Sequence, residues 1–172
     1  MASWKEAKAV IILPMKTGKG FRYLCFVSGI LFLGAPALQL AGLIQVYFPD
    51  GEWVPLKSLG TFFGGSEEIV NQGNSYIFAY RLNPFYIVLM AVSLTAALAS
   101  FFGKDCRKNL IFSGIAGFLA LLLASFMVLI FHGLNPGFAL NGIRGGIGFA
   151  LSITSYVMAF VFLAPAFLFA EK

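Results

Sequence analysis

Few side chains in this sequence have the chemistry that catalysis or metal binding requires. His132 is the only histidine, and the adjacent carboxylates Glu67 and Glu68 have no histidine near them in the sequence. Metal sites of the usual kind need clusters of cysteine, histidine or carboxylate, and a haem held by two histidines would need a second chain to supply one of them. His132 fits an interfacial side chain with one hydrogen bond better than a metal or pigment ligand. We therefore expect no cofactor and no metal centre.

Two glycine-rich stretches lack the context of nucleotide-binding loops. GKGFR (18–22) does not have the spacing of a phosphate-binding loop, and GIRGGIGF (142–149) follows no strand of a βαβ unit. Cys25 lies in an apolar run and Cys106 in a basic loop, so a disulfide framework is not expected. The net charge of +5 would suit nucleic acid, but its distribution favours a membrane. We expect no nucleic-acid partner.

Composition indicates where the chain resides. Of the 172 residues, 59% are hydrophobic and 11% are charged, whereas soluble domains carry about 25% charged residues. Four apolar segments are long enough to cross roughly 30 Å of hydrocarbon as helices, which takes about 20 residues. The sequence therefore predicts an all-α integral membrane protein, a four-helix bundle forming a single domain over residues 1–172. The predicted spans are 23–48, 85–102, 110–131 and 146–170.

The lysines and arginines predict an orientation for the bundle. Nine of the twelve lie near the two termini or in the loop 103–109, and three lie on the other side. The positive-inside rule then makes both termini cytoplasmic. The loops 49–84 and 132–145 are predicted to be exoplasmic, and their basic residues are Lys57, Arg81 and Arg144.

The N-terminal segment, residues 1–22, predicts a helix that lies on the inner leaflet. Ser3 and Glu6 have the spacing of a capping box, and Pro14 ends the helix. The apolar run before Pro14 is short and lacks a cleavage site, so it does not resemble a signal peptide. A frayed cytoplasmic tail is the alternative. The side chains expected to enter the membrane surface are Trp4, Ala7, Val10 and Ile11.

The long loop 49–84 predicts a small ordered cap over the helices, because it is too rich in aromatic residues for a disordered linker. NSYIFAYRL (74–82) alternates like a strand, and EWVPLKSLGTFF (52–63) is a weaker partner for a short β-hairpin. GGSEE (64–68) predicts a turn into a short helix capped by Ser66. An isolated hairpin is marginal in water, so this cap must rest on the helices, the lipid or a partner.

The aromatic residues of this loop have two interpretations. They either form an interfacial belt with a small core of their own, or they form a docking surface for another protein. The residues expected to contact a partner are Trp53, Phe62, Phe63, Tyr76, Tyr80 and Arg81.

The spans contain small residues where transporters and membrane enzymes carry charges. No Asp, Glu, Lys, Arg or His lies in the middle of any span, which argues against ion-coupled transport. Small residues let helices approach closely in lipid. They predict packing within the bundle or, alternatively, one stripe that packs against another chain. The glycines singled out are Gly114, Gly117, Gly145, Gly146 and Gly148.

Arg144 lies close to the fourth span on the side that should be poor in positive charge. It is therefore expected to pair with the other loop or to anchor to a lipid phosphate by snorkelling; a solvated Arg144 without fixed contacts is the alternative. The candidate partners are the carboxylates of Asp50, Glu52, Glu67 and Glu68.

The layout of four spans with a long, strand-like first exoplasmic loop resembles the claudin type of tetraspan protein. The resemblance is one of topology, because the loop contains Trp53 but lacks the cysteine pair of the claudin signature. We expect a non-enzymatic accessory or structural subunit of a larger membrane complex. Its partners would be the lipid bilayer and other integral membrane proteins or copies of itself. The alternative is a homo-oligomeric pore for small solutes or anions, and a membrane enzyme acting on lipid or quinone comes last.

Overall fold

The computed structural model describes residues 18–48, 51–71, 73–102, 107–136 and 142–169. The predicted N-terminal surface helix, from Ser3 to Pro14, lies outside these residues, and so do the last three residues of the chain.

Four long helices confirm the prediction of a bundle that is able to cross a membrane. Each is long and apolar enough for a span, and they are the four such helices within the described ranges. Asn83 caps one of them by accepting a hydrogen bond from the backbone N–H of Phe85 (3.2 Å), with Pro84 in the first position. The helices are α1 (Gly18–Gln39), α3 (Pro84–Phe101), α4 (Arg107–Leu134) and α5 (Ile147–Phe169).

The first predicted span, 23–48, is wrong at its far end. Helix α1 ends at Gln39, and strand β1 (Ile44–Tyr47) follows after Gly42, whose φ of 129° suits a glycine. Ile44 and Val46 are buried while Tyr47 is exposed, which is the alternation of a strand. A short apolar run has the same composition in a buried strand and in a helix, so hydropathy alone extended the helix too far.

Small side chains bring the helices of the bundle together. Helix α1 packs on α5 and α3, and α4 packs on α3 and α5. The hydroxyls of Ser28 and Ser155 donate across the α1–α5 contact to the backbone oxygens of Ala159 (3.0 Å) and Leu31 (2.9 Å). These hydrogen bonds add to van der Waals packing, which is what holds helices together in lipid.

One end of the bundle carries two small antiparallel sheets, which together with α2 (Ser58–Phe63) we call the cap, residues 42–83 and 142–146. The first sheet has the order β2-β1-β5, with β2 (Trp53–Pro55) and β5 (Ile143–Gly145) on either side of β1. The second is a hairpin of β3 (Gly65–Asn71) and β4 (Asn74–Tyr80). The fold is therefore mostly helical, as predicted, but its cap contains two small sheets where one short hairpin was expected.

The predicted hairpin is correct for β4 and wrong for its partner. GGSEE begins a strand instead of a helix, and β3 pairs with β4 so that Glu67 faces Phe78 and Ile69 faces Tyr76. The stretch 52–63 forms β2 and α2 instead. Ser-Glu-Glu suits the first turn of a helix locally, but pairing with β4 buries Glu67 and part of Ile69, and this tertiary contact overrides the local preference.

Candidate docking surface of the cap

Aromatic ring contacts attach the inner face of the cap to the bundle. The Phe62 ring stacks on Tyr86 of α3 with centroids 3.7 Å apart, and the Tyr80 ring lies 6.2 Å from Phe131 of α4. Phe62 and Tyr80 are 0% and 7% exposed. Their prediction as partner contacts is therefore corrected: they form the small core of the cap and attach it to the helices. Tyr76 is half-buried, and its ring forms a T-shaped contact with Phe48, with the ring centroids 4.9 Å apart.

A buried carboxylate lies on this inner face. Glu67 is 8% exposed, and its Oε2 accepts hydrogen bonds from the Lys57 backbone N–H and the Tyr80 hydroxyl, both at 2.8 Å. Burial, and then the hydrogen bond and charge of Glu67, raise the pKa of Tyr80 above its usual value. The predicted helix at Glu67 is wrong, because Glu67 lies in β3. The alternation of β4 indicates an inner face, but it does not identify the strand that pairs with β4.

Arg144 joins the two loops of the cap. Strand β5 pairs with β1 so that Arg144 faces Gln45, and its Nε donates to Gln45 Oε1 at 2.8 Å. The guanidinium carbon lies 4.2 Å from the centre of the Trp53 ring, a cation–π distance. Trp53 in turn lies 5.2 Å from Tyr47. The contacts of Arg144 are thus an amide and an aromatic ring of the first loop, where the sequence suggested a carboxylate or a lipid phosphate.

Most of the glycines that were predicted to pack helices make their close contacts within this chain. The N–H groups of Gly146 and Gly148 donate to Leu43 O (2.8 Å) and Gly42 O (2.9 Å), so the start of α5 touches the backbone after α1. A Cβ on Gly148 would lie 2.6 Å from Leu38 O. A Cβ on Gly117 would meet the Phe32 ring at 2.5 Å, and one on Gly145 would meet the Phe149 ring at 2.6 Å.

Gly114 differs from the other glycines of the helices. It is half-buried, and a Cβ placed on it would meet only Leu163 Cδ2, at an ordinary 3.8 Å. A methyl group could therefore be placed at Gly114 without a clash within the described bundle.

The hairpin also has an outer face, and it is partly apolar. Ile77 and Val70 are 76% and 68% exposed, and they are diagonal neighbours because Val70 pairs with Ser75 and Glu68 pairs with Ile77. The Ser75 hydroxyl donates to Glu68 Oε1 on the same face. The alternation of NSYIFAYRL already separates Ile77 from the inward tyrosines, but aromatic content drew the prediction to the inner face.

Of the residues predicted to contact a partner, Phe63 and Arg81 are exposed and Trp53 and Tyr76 are half-buried. The Arg81 backbone N–H donates to Asn135 Oδ1 at 2.9 Å, which attaches the end of the hairpin to the residue that follows α4 while the arginine as a whole remains exposed. No protein-family model, curated protein or solved structure matches this chain.

Three of the polar side chains of α5, Ser152, Ser155 and Tyr156, are buried in the bundle. Ser152 is buried, the Ser155 hydroxyl donates to Leu31 O, and the hydroxyls of Tyr156 and Ser93 share a buried hydrogen bond. Thr154 is exposed, but its hydroxyl is satisfied by Ala150 O at 2.9 Å. The pore alternative requires these groups to line a path between protomers. This arrangement gives no specific support for such a path.

Proposed function

We propose that this protein is a non-enzymatic accessory subunit of a larger membrane assembly and that it binds its partner through the outer face of the β3–β4 hairpin. The observation that carries the proposal is the exposure of Ile77 and Val70 on a hairpin whose opposite face is anchored to the bundle. A rigidly held apolar pair, with a charged residue beside it, is the kind of patch that forms the centre of a protein interface.

The orientation of the chain belongs to the same proposal. The excess of lysine and arginine near the termini and in the loop 103–109 favours a cytoplasmic location for both termini. The hairpin would then present its outer face on the exoplasmic side, where the exoplasmic part of another membrane protein would bind. Glu68, which is exposed and pairs with Ile77 on the same face, would supply a charged rim beside the apolar pair.

Interface energetics favour a small hot spot on this face. Fully burying a Val or Ile side chain contributes about 1.5–3 kcal/mol, and the binding energy of a protein interface is usually concentrated in a few buried residues. The anchoring of the inner face matters equally, because a hairpin held in one place loses little conformational entropy on binding.

Position-specific photo-crosslinking tests the proposal in the native membrane. A photoreactive residue at position 77, on the outer face, is expected to form one discrete adduct with another membrane protein. The same residue at position 69, which is half-buried on the inner face of the hairpin, serves as the matched control and should form no such adduct. Adducts with lipid alone at position 77 would show that the hairpin rests on the bilayer surface and would overturn the proposal.

A further inference from the structure

A second feature of the cap, independent of the hairpin's outer face, is a groove of about 870 Å³ beside the end of α1. Its volume is within the range of small-molecule sites, about 300–1,000 Å³. The groove lies between the end of α1, helix α2 and the start of β3, and its lining includes Leu40, Lys57, Leu59, Phe63, Glu67 and Tyr80.

Glu67 gives this groove a buried negative charge. The carboxylate is 8% exposed, and both of its hydrogen-bond donors among the described residues, the Lys57 N–H and the Tyr80 hydroxyl, are neutral. Both of these donors bind Oε2 of the carboxylate. Buried carboxylates in proteins are normally paired with a cation. The groove therefore offers an acceptor that a cationic ligand would satisfy.

The groove lies at the level where two candidate spans end. Helix α1 ends at Gln39, directly before Leu40, and α3 begins at Pro84, close to the Phe63 and Tyr86 ring contact. Leu40, Leu59 and Phe63 are large apolar side chains that remain exposed at this level. A ligand that reaches the groove from the membrane would therefore have an apolar chain next to a polar head.

Lys57 supplies the opposite charge at the same groove. It is exposed and lines the groove, while its backbone N–H holds Glu67 Oε2. An ammonium group is a common ligand of phosphate. The groove thus offers a carboxylate, a lysine and an apolar wall close together, which is complementary to a head group with an amine and a phosphate on an apolar tail.

We propose that this groove binds an amine-headed phospholipid of the adjacent leaflet. The ammonium group of the lipid donates to Glu67, its phosphate lies beside Lys57, and an acyl chain follows Leu40, Leu59 and Phe63. A primary ammonium has three N–H donors for the carboxylate, whereas the quaternary ammonium of phosphatidylcholine has none. The site should therefore prefer phosphatidylethanolamine to phosphatidylcholine.

The test measures the lipid that remains bound to protein reconstituted in vesicles of equimolar phosphatidylethanolamine and phosphatidylcholine and then extracted gently. The parent protein should retain phosphatidylethanolamine in about tenfold preference, because hydrogen bonds to charged groups are worth more than neutral ones. Glu67→Gln keeps an acceptor for Lys57 and Tyr80 but removes the charge, and it should abolish the preference. Glu68→Gln removes the same charge from the outer face and should keep it.

Two outcomes would overturn the lipid site. Equal retention of the two lipids by the parent protein would overturn it without any variant. The test therefore remains decisive even if Glu67→Gln fails to fold. An unchanged preference in a folded Glu67→Gln protein would also do so, because the amine would then be recognised elsewhere. Neither outcome bears on the partner proposed for Ile77 and Val70, since those residues lie on the other face of the hairpin.

Discussion

The guanidinium carbon of Arg144 lies 4.2 Å from the centre of the Trp53 ring. The two residues are far apart in the chain, and the contact links the short second loop to the long first loop. Strand pairing supports the same link, because β5 and β2 lie on either side of β1. The first sheet of the cap is thus assembled from both loops and depends on residues that are distant in sequence.

Replacing Arg144 should loosen the cap. Arg144→Ala removes the contact with Trp53 and the hydrogen bond to Gln45, with an expected cost of about 1–2 kcal/mol. Arg144→Lys keeps the charge but loses the planar stacking and should restore stability only in part. The measurement is the rate of protease cleavage within residues 49–84 in sealed vesicles that expose the cap.

Arg81→Ala is the control for this experiment, because the structure assigns Arg81 a backbone hydrogen bond that the substitution leaves in place. It should be cleaved at the parental rate. Arg144→Ala protein that resists protease as well as the parent would show that the contact between Arg144 and Trp53 contributes nothing to the stability of the cap.

Alkaline pH should weaken the cap through Tyr80. Burial and the nearby Glu67 raise the pKa of the Tyr80 hydroxyl in the folded protein. The unfolded pKa is about 10, so this stability is fully present below about pH 10 and is lost as the pH rises through the higher folded value. The thermal midpoint of the parent should therefore fall between about pH 10 and pH 12.

Tyr80→Phe isolates that effect. The variant lacks the titrating hydroxyl and one of the two hydrogen bonds to Glu67, so it should be less stable at neutral pH by about 1–3 kcal/mol. The difference between parent and variant should shrink as the pH is raised. A constant difference across the alkaline range would contradict the role assigned to the hydroxyl.

Two glycines of the bundle should respond differently to alanine. Gly148→Ala places a methyl group 2.6 Å from Leu38 O, against backbone that cannot move aside easily, so a loss of about 1–3 kcal/mol is expected. Gly114→Ala meets only Leu163 Cδ2 at 3.8 Å and should leave the thermal midpoint in detergent unchanged. Equal midpoints for the two variants would show that α5 does not approach the α1 backbone as closely as described.

The four helices could be predicted from the sequence because length and apolarity are local properties. The end of α1 could not be predicted in this way. The mostly apolar run LIQVYF would suit a helix or a strand, and it forms a strand because it pairs with β2 and β5. Strand β4 was visible in its alternation, but β3 becomes a strand only through that neighbour. The same limit affects the site: whether Phe62 or Ile77 faces the bundle depends on tertiary packing, which aromatic content in a loop does not reveal.

The most direct test of the accessory-subunit proposal is the composition of the particle that contains this 18.6 kDa chain after gentle extraction from its native membrane. We expect a second membrane protein in fixed stoichiometry. It should be lost from Ile77→Lys protein, which places a charge on the outer face, and retained by Ile77→Val protein, which keeps an apolar β-branched side chain there. A monomer, a particle made only of this chain, or a partner retained equally by both variants would contradict the proposal.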